Sequence, residues 1–584
     1  MTPTPTSNPR LPFRRADFRT LPEALDYAAN GTTGFNFYSA RAELTATLSY
    51  AELRERAVTM ARGLIQAGFE PEQRVVLLGD TDPEIITGFF ACQYASLIPV
   101  IVPIPASLGG REAYVEQLQR LLTSSKASAA MAPEAYLGFL EEAVAGLDAS
   151  PMTGTPADFF DLPGHAVDIR PFGPDDACYF QYSSGSTRWP LGVEVPQSCL
   201  MANSYAMANH GLQVRPGDRG VSWLPLYHDM GLVGFMLTPV LCQLTCDYLA
   251  TRDFARRSLT WLKLFGDNGA TLSYSPTFGY DLCCRRAENA AAQSFDLRTW
   301  RAAGIGGDMI QPQVMARFAE VFAPHGFDRK AFVASYGMAE ATLAVSFAPL
   351  DRGLLVDRID KQRLADAHIA TPADELTDPD DVRGFAFCGP VLPDHEIEVR
   401  GQEGEVLDER LVGRIFVKGP SIAKGYFGEP EASARVFVDG WLDTGDLGYI
   451  AGGEVVITGR SKDLMIVNGR NIWPQDVEWA VEELEGLRRG DVAVFSIEDQ
   501  GQEPQVVILV QCRSRDAELR DQLVKDVKAT ATRTAAVDGL VILVPPHSLP
   551  MTSSGKLSRA RAKQNFLDGL YSEVDEPLAM AAGD

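Results

Sequence analysis

The feature that most restricts this chain is a repeated alternation of short, branched apolar runs with helical patterns over its first three-quarters. Arg74–Leu78 reads RVVLL and predicts a buried strand, and Pro83–Ala95 carries apolar residues at helical spacing. Residues 99–102 predict a second strand and residues 112–122 a second helix. Further strands are predicted at residues 178–182, 221–224, 271–274, 302–305 and 332–335, with Gly, Pro or Ser at or close after each end. A strand followed by a helix, repeated, builds βα units and largely parallel sheets. Such sheets gather ligands at the loops beyond the carboxyl ends of their strands. Those loops are where chemistry is to be sought.

The pattern changes after Gly384. Residues 397–399, 413–417 and 455–458 predict a strand-rich section. Past Arg460 comes a smaller α+β unit, with helices at 477–484 and 517–531 and strands at 492–496, 506–511 and 540–544. A chain of 584 residues exceeds the size at which a single core keeps growing. The expected fold class is therefore α/β: a large domain, residues 1–460, of αβ subdomains with mainly parallel sheets plus the strand-rich section, and a small mobile α+β domain, residues 461–584. The tail from Ser572, acidic and rich in small residues, predicts a frayed end.

With 77 acidic against 53 basic residues, the net charge of −24 argues against nucleic acid or an anionic membrane surface as partner. Any bound anion must be held by local donors. The nine cysteines form no C-x-x-C pair and match neither a zinc site nor a disulfide framework. They predict buried free thiols in a reducing compartment. Pro99 and Pro103 interrupt one apolar region, and His228, Asp229 and Asp247 the other, so no membrane span is expected. The N-terminus lacks the apolar stretch of a signal peptide. A cytoplasmic protein is expected.

Candidate chemistry begins at Tyr182-Ser183-Ser184-Gly185-Ser186-Thr187-Arg188-Trp189-Pro190-Leu191-Gly192. Glycines let the backbone turn sharply and approach a ligand, while hydroxyls and N–H groups donate to phosphate oxygens. Alone, this is more often an ordinary Ser/Gly loop. It lacks the G-x-x-x-x-G-K-[ST] order of a Walker A loop, as does Ser553-Ser554-Gly555-Lys556-Leu557. Physically, Tyr336 in Ser335-Tyr336-Gly337-Met338-Ala339-Glu340 offers a flat face to a base, and Glu340 a hard oxygen for Mg²⁺.

The first loop resembles the phosphate-binding loop of the adenylate-forming superfamily, which contains acyl-CoA synthetases, peptide-synthetase adenylation domains and luciferase. Two positions depart from the usual [ST]-[ST]-G-[ST]-T-[GT]-x-P-K-G pattern: Arg188 replaces Gly or Thr, and Leu191 replaces Lys. The Thr-Arg-x-Pro form resembles the fatty acyl-AMP ligases. The superfamily's other motifs follow in order across nearly the whole chain.

The resemblance implies a role for each of them. Trp223-Leu224-Pro225-Leu226-Tyr227-His228-Asp229-Met230-Gly231 resembles the stretch beside the acyl site, and His228 is expected to gate the path of the carboxylate. A lone histidine is otherwise usually structural. Tyr227, Met230, Gly231, Phe278, Gly279 and Tyr280 are expected in the acyl pocket. Gly304-Ile305-Gly306-Gly307-Asp308 resembles the adenine-pocket segment, though a tight turn competes there. Ser335 to Glu340 resembles the Y-G-x-[TA]-E motif, with Ala339 lacking the common threonine hydroxyl. Asp446 in Trp441-Leu442-Asp443-Thr444-Gly445-Asp446-Leu447-Gly448 is expected to accept from ribose. Arg460 is expected to contact ribose, and Lys462 to sit at an interdomain hinge; read alone, both segments are ordinary polar turns. Pro550-Met551-Thr552-Ser553-Ser554-Gly555-Lys556 resembles the catalytic-lysine loop, which would lift Lys556 above a solvated charge.

Residues 351–383 are placed like the insertion that marks fatty acyl-AMP ligases, although their composition equally suits a solvated loop. The expected function is ATP-dependent, Mg²⁺-assisted activation of a fatty acid as acyl-AMP with release of pyrophosphate. The acyl group is then expected to pass to the phosphopantetheine thiol of an acyl carrier protein, for lipid or polyketide synthesis. An acyl-CoA ligase is the first alternative. A catalytically silent fatty-acid or nucleotide binder is the second, opposed by Glu340, Asp446 and Lys556.

Overall fold

Strand Arg74–Leu78 shows how the sequence sets the architecture. Val75 and Leu77 are buried in one core and Val76 and Leu78 in another, as a strand with both faces covered requires. In this computed structural model the described residues are 1–571, except 80, 106–109, 149, 165–166, 184–189, 289–293, 468–469, 498–503 and 553–555. Among them, strand Arg74–Leu78 lies in a seven-stranded sheet, between Ile98–Val102 and Ala127–Met131. Ala177–Ser183 continues that sheet in parallel; Leu191–Pro196 and then the two-residue strand Gly425–Tyr426 close its edge in antiparallel pairings.

An eight-stranded sheet has a parallel centre in which Phe332–Gly337, Ala302–Ile305, Leu272–Ser275, Arg219–Ser222, Thr245–Leu249 and Gly34–Tyr38 follow one another. Ala344–Phe347 and Leu44–Ser49 flank it in antiparallel pairings. Helix Pro83–Ala95 belongs to the large core that also takes in the inner residues of this sheet. It is buried all round from Ile85 to Ala95, as its continuous apolar run demands. Asp82 caps its start by accepting from the Glu84 N–H at 2.8 Å.

The strand-rich section is a five-stranded sheet of antiparallel pairings that includes Gly413–Lys418, Trp441–Ala451 and Glu454–Arg460. Beyond it, strands Val492–Ile497, Gln505–Gln511 and Leu540–Val544 form a three-stranded sheet. Alternation with a period of two sends Val492, Val494, Val506, Ile508 and Val510 toward helices Pro474–Glu482 and Ala517–Ala535. Ala493, Phe495, Val507 and Leu509 face helix Arg559–Leu567 instead.

The segment expected as an insertion is packed rather than solvated. Strands Val356–Asp360 and Val382–Ala386 form an antiparallel hairpin with helix Lys361–Ala367 between them. Ile359, Leu364 and Phe385 share a core with Tyr449, Ala451 and Val456 of the five-stranded sheet and with Trp473. Arg383 lies over the Phe385 and Trp473 rings and 2.7 Å from Asp476. His368 pairs with Asn471 at 2.9 Å, Asp366 with Arg470 at 3.0 Å, and Lys361 donates to the Thr534 carbonyl. No described helix is long and apolar enough to cross a membrane. All nine cysteines are free and buried.

Candidate active site

Two neighbouring strand ends of the eight-stranded sheet bring the central groups together. After Ala302–Ile305 the chain turns through Gly306 and Gly307; Gly307 has φ +74, in the left-handed region that favours glycine. The Ser335 hydroxyl donates to the Ile305 carbonyl at 3.3 Å and joins the two neighbouring strand ends. A Cβ on Gly337 would stand 1.8 Å from the Leu343 carbonyl oxygen, so only glycine allows the backbone to fold back there.

Tyr336 donates its hydroxyl to Asp446 at 2.7 Å, and Arg460 stands 3.3 Å from the other Asp446 oxygen. This Tyr–Asp–Arg group links the strand Phe332–Gly337 to the paired strands Trp441–Ala451 and Glu454–Arg460, where Asp446 and Arg460 are cross-strand partners. Burial raises the Asp446 carboxyl above its ordinary value, against the opposing pull of Arg460 and the Tyr336 hydroxyl. Arg460 is pushed up, mainly by Asp446. Its side chain is half exposed, so the pair opens to solvent on one side.

Glu340 lies one short turn beyond Gly337 and is partly exposed. One of its oxygens accepts from the Tyr426 hydroxyl at 2.9 Å. Among the described residues no group of three or more His, Cys, Asp or Glu side chains could hold a metal ion. A carboxylate whose second oxygen has no hydrogen-bond partner among the described residues fits Mg²⁺ that arrives on substrate phosphates, since that ion commonly takes one or two carboxylates plus phosphate oxygens.

Lys556 reaches this region from the C-terminal side: its ammonium donates to the Gly307 carbonyl. The Thr552 N–H donates to the Lys556 carbonyl at 2.7 Å, and the Lys556 N–H to the Thr552 hydroxyl at 3.1 Å, so the lysine's backbone is braced. Lys462 is exposed, just after strand Glu454–Arg460.

An apolar cavity opens beside these groups. Gly306, Gly307, Ser335, Tyr336 and Gly337 line one end, and Met207, Val214, Leu244, Leu272 and Phe347 line the body. Two π-helical turns, Met207–Gly211 and Leu232–Leu237, supply part of the wall, a distortion often found at functional sites. Asp229 also lines it; burial raises its carboxyl, while the Met230 N–H and Lys556 act in the opposite direction.

Of the residues expected in the acyl pocket, Met230 lines this cavity. Tyr280 instead lies in an aromatic core with Trp261, Trp300 and Phe318, its hydroxyl donated to the Gly304 carbonyl at 2.9 Å. Phe278 packs edge-on to Trp223, and a Cβ on Gly279 would meet Ser275 and Trp223. Gly231 closes against the Pro225 carbonyl. Tyr274, Phe235 and Phe347 line the cavity, and Phe278, Gly279 and Tyr280 are not among its lining residues. The Tyr227 and His228 rings lie 5.0 Å apart, and the Tyr227 carbonyl accepts from Gln181 at 2.7 Å. Asp308 is exposed and accepts from the Met309 N–H, while Met338 is half-buried and Ala339 buried. Ser184, Gly185, Ser186, Thr187 and Arg188 lie outside the described residues; Ser183 ends the strand that leads to them.

Comparison with known proteins identifies the family. The family model described as AMP-binding enzyme matches residues 27–427. A "Putative acyl-CoA synthetase" of Caulobacter vibrioides is 52% identical over 98% of this chain and 99% of its own length. The long-chain-fatty-acid–AMP ligase FadD26 of Mycobacterium marinum is 31% identical over 91% of this chain and 93% of its own. A solved structure from a study of fatty acyl-adenylate ligases of E. coli and L. pneumophila superposes with a TM-score of 0.91 at 42% identity, covering 96% of this chain and all of that one. The chain belongs to the AMP-binding enzymes of the adenylate-forming superfamily, within it to the fatty acyl-AMP ligases, and is an acid-adenylating enzyme.

Proposed function

We propose that the enzyme activates a fatty acid with ATP, releases pyrophosphate, and hands the acyl group from acyl-AMP to the phosphopantetheine thiol of an acyl carrier protein. The observation that carries this reading is the meeting of Lys556 with Gly307, which lines an apolar cavity, beside the Tyr336–Asp446–Arg460 group. A polar, charged end suits a nucleotide and a carboxylate, and an apolar body suits an alkyl chain.

In the proposed step a carboxylate oxygen of the acid attacks the α-phosphorus. The bond from that phosphorus to the pyrophosphate oxygen breaks, and pyrophosphate leaves with the electron pair. Tyr336 flanks the adenine, with Gly306, Gly307 and Asp308 along the same pocket. Asp446 accepts from the ribose hydroxyls, and Arg460 holds that carboxylate charged. Lys556 moves from the Gly307 carbonyl onto developing negative charge, where a preorganised cation is most effective. Ser183 to Arg188 would supply the phosphate donors, and His228 would gate the acid. Mg²⁺ would be held on Glu340 and would offset phosphate charge.

The two domains, residues 1–460 and 461–584, are proposed to turn about Lys462 between adenylation and transfer. The packed segment 351–383 supports a preference for the first arrangement through Arg383–Asp476, His368–Asn471 and Asp366–Arg470. A bias of about 3 kcal/mol would lower the other arrangement more than roughly a hundredfold. A carrier protein offsets that cost with its own surface contacts; free CoA has none. The free thiols support a reducing cytoplasm. An acyl-CoA ligase is the second reading, favoured by the name of the 52% identical relative.

The test is pyrophosphate release over fatty acids of increasing length, followed by thioester yield with CoA and with carrier protein. Strong adenylation with poor acyl-CoA yield supports the proposal. Efficient acyl-CoA synthesis by the intact protein selects the second reading, and no pyrophosphate with any acid defeats both.

A further inference from the structure

The segment Ser421–Phe427 had no chemistry assigned to it, yet it wraps the turn that carries Glu340. Besides the Tyr426 hydroxyl on the Glu340 side chain, the Ala423 N–H donates to the Glu340 carbonyl at 2.9 Å. The turn it holds is strained. Thr342 has φ 69 and ψ −55, and the Leu343 N–H closes onto the Ala341 carbonyl at 2.9 Å, a γ-turn of the disfavoured hand for a β-branched residue. The Thr342 hydroxyl donates to the Ser421 carbonyl at 2.7 Å, and the Ser421 hydroxyl lies 2.6 Å from buried His395.

The same segment is tied to the other side of the site. Strand Gly425–Tyr426 pairs with Leu191–Pro196, Tyr426 opposite Val193, and the Phe427 N–H donates to the Gly192 carbonyl at 2.9 Å. Strand Leu191–Pro196 is the first element described after residues 184–189. The Tyr426 backbone is fixed again by the Ser433 hydroxyl, which accepts its N–H at 2.9 Å.

We infer that Tyr426 is a positioning residue for the Glu340 carboxylate: its hydroxyl occupies one oxygen and turns the other toward a divalent cation, in register with the strand leaving the phosphate loop. The inference rests on the proposed role of Glu340. A carboxylate free to rotate can offer either oxygen or both; one pinned by a phenol offers a single, oriented oxygen. Partners of this kind commonly change metal affinity 10- to 100-fold when removed.

The experiment uses the full-length protein, a non-hydrolysable ATP analogue, and Mn²⁺ as a paramagnetic stand-in for Mg²⁺, with binding read by electron paramagnetic resonance. Tyr426→Phe is expected to weaken Mn²⁺ binding about tenfold. The Mg²⁺ concentration for half-maximal pyrophosphate release should rise in parallel, with the Michaelis constant for the fatty acid unchanged. Phe437→Leu is the packing control, because its ring lies 5.6 Å from that of Tyr426. It should lower the melting temperature and leave Mn²⁺ binding as it was. Should Tyr426→Phe fail to fold, Ser433→Ala loosens the same backbone and is expected to shift Mn²⁺ binding in the same direction. Wild-type Mn²⁺ binding by the tyrosine variant, or equal weakening by Phe437→Leu, overturns the inference. If Glu340→Gln weakens Mn²⁺ binding and Tyr426→Phe does not, this inference alone falls. If neither does, the assignment of Glu340 to the metal falls with it.

Discussion

Arg383 and Asp476 stand 2.7 Å apart, both nearly removed from solvent, and join the hairpin of residues 351–383 to the helix Pro474–Glu482. Burial raises the Asp476 carboxyl and lowers the Arg383 guanidinium, so each charge depends on the other. Deleting one partner strands the second. Asp476→Ala is expected to destabilise by ~3–5 kcal/mol, whereas a paired Arg383→Met, Asp476→Leu replacement should recover most of the loss. Urea unfolding of the full-length variants measures this. Equal stability of Asp476→Ala and the parent would show that the pair holds nothing.

Lys556→Ala should leave the circular dichroism spectrum unchanged and reduce pyrophosphate release on the order of 10²–10³-fold. The braced Thr552–Lys556 backbone places the ammonium without dependence on its own charge, so the fold should tolerate its loss. Near-normal release would remove Lys556 from the reaction.

Asp446→Ala is expected to raise the Michaelis constant for ATP, because it removes the acceptor and also frees Tyr336 and Arg460. Glu340→Gln should shift the Mg²⁺ titration instead. An unchanged ATP constant in the first, or an unchanged titration in the second, would refute the respective role.

Gly234 lines the cavity, and a Cβ there would meet only Leu343, at 3.6 Å. Gly234→Leu should therefore be accepted at its Cβ and take up part of the cavity. Long acids are expected to lose roughly 10–200-fold in kcat/KM relative to short ones, the usual worth of a methylene's misfit. An unaltered chain-length profile would show that acyl chains do not run past residue 234.

Burial and neighbouring Glu478 push the Glu482 carboxyl up to about 8, opposed by the Gly490 N–H that it accepts at 2.6 Å. The folded protein thus keeps a proton there that the unfolded chain releases from about pH 4.5. Its stabilising contribution is complete below that pH and is lost as pH rises through about 8. Glu482→Gln should flatten the decline in stability between pH 5 and roughly 8. A decline as steep as in the parent would locate the titration elsewhere.

Much of this was legible in the sequence because the signals were local. RVVLL needs both faces covered, and Ala302–Ile305 and Phe332–Gly337 end in the glycines that the turns require. Glu340 and Arg460 each sit in a motif at or just past a strand end, and Asp446 sits in a motif inside the strand Trp441–Ala451. What stayed hidden was non-local. Tyr426 meets Glu340 across 86 residues, and nothing in Gly425-Tyr426-Phe427 announces a two-residue edge strand. Residues 351–383 look solvated because Ile359 and Leu364 follow no single period; their core exists only once Phe385, Tyr449 and Trp473 arrive from beyond the segment. The packing of Tyr280 was hidden too: an aromatic beside a motif reads as pocket lining, and its contacts with Trp261 and Trp300 come from residues well away in sequence.

The nine cysteines, all buried, give the molecule an unexpected convenience. Burial pushes Cys199 up to about 11 and Cys242 up to about 12, so neither presents a thiolate near neutral pH. A maleimide dye should pass over the native chain. Cysteines placed at two exposed positions, Glu112 and Glu518, would then be the reactive thiols, and a fluorophore pair there would read the distance between the seven-stranded sheet's flank and helix Ala517–Ala535 in the working enzyme.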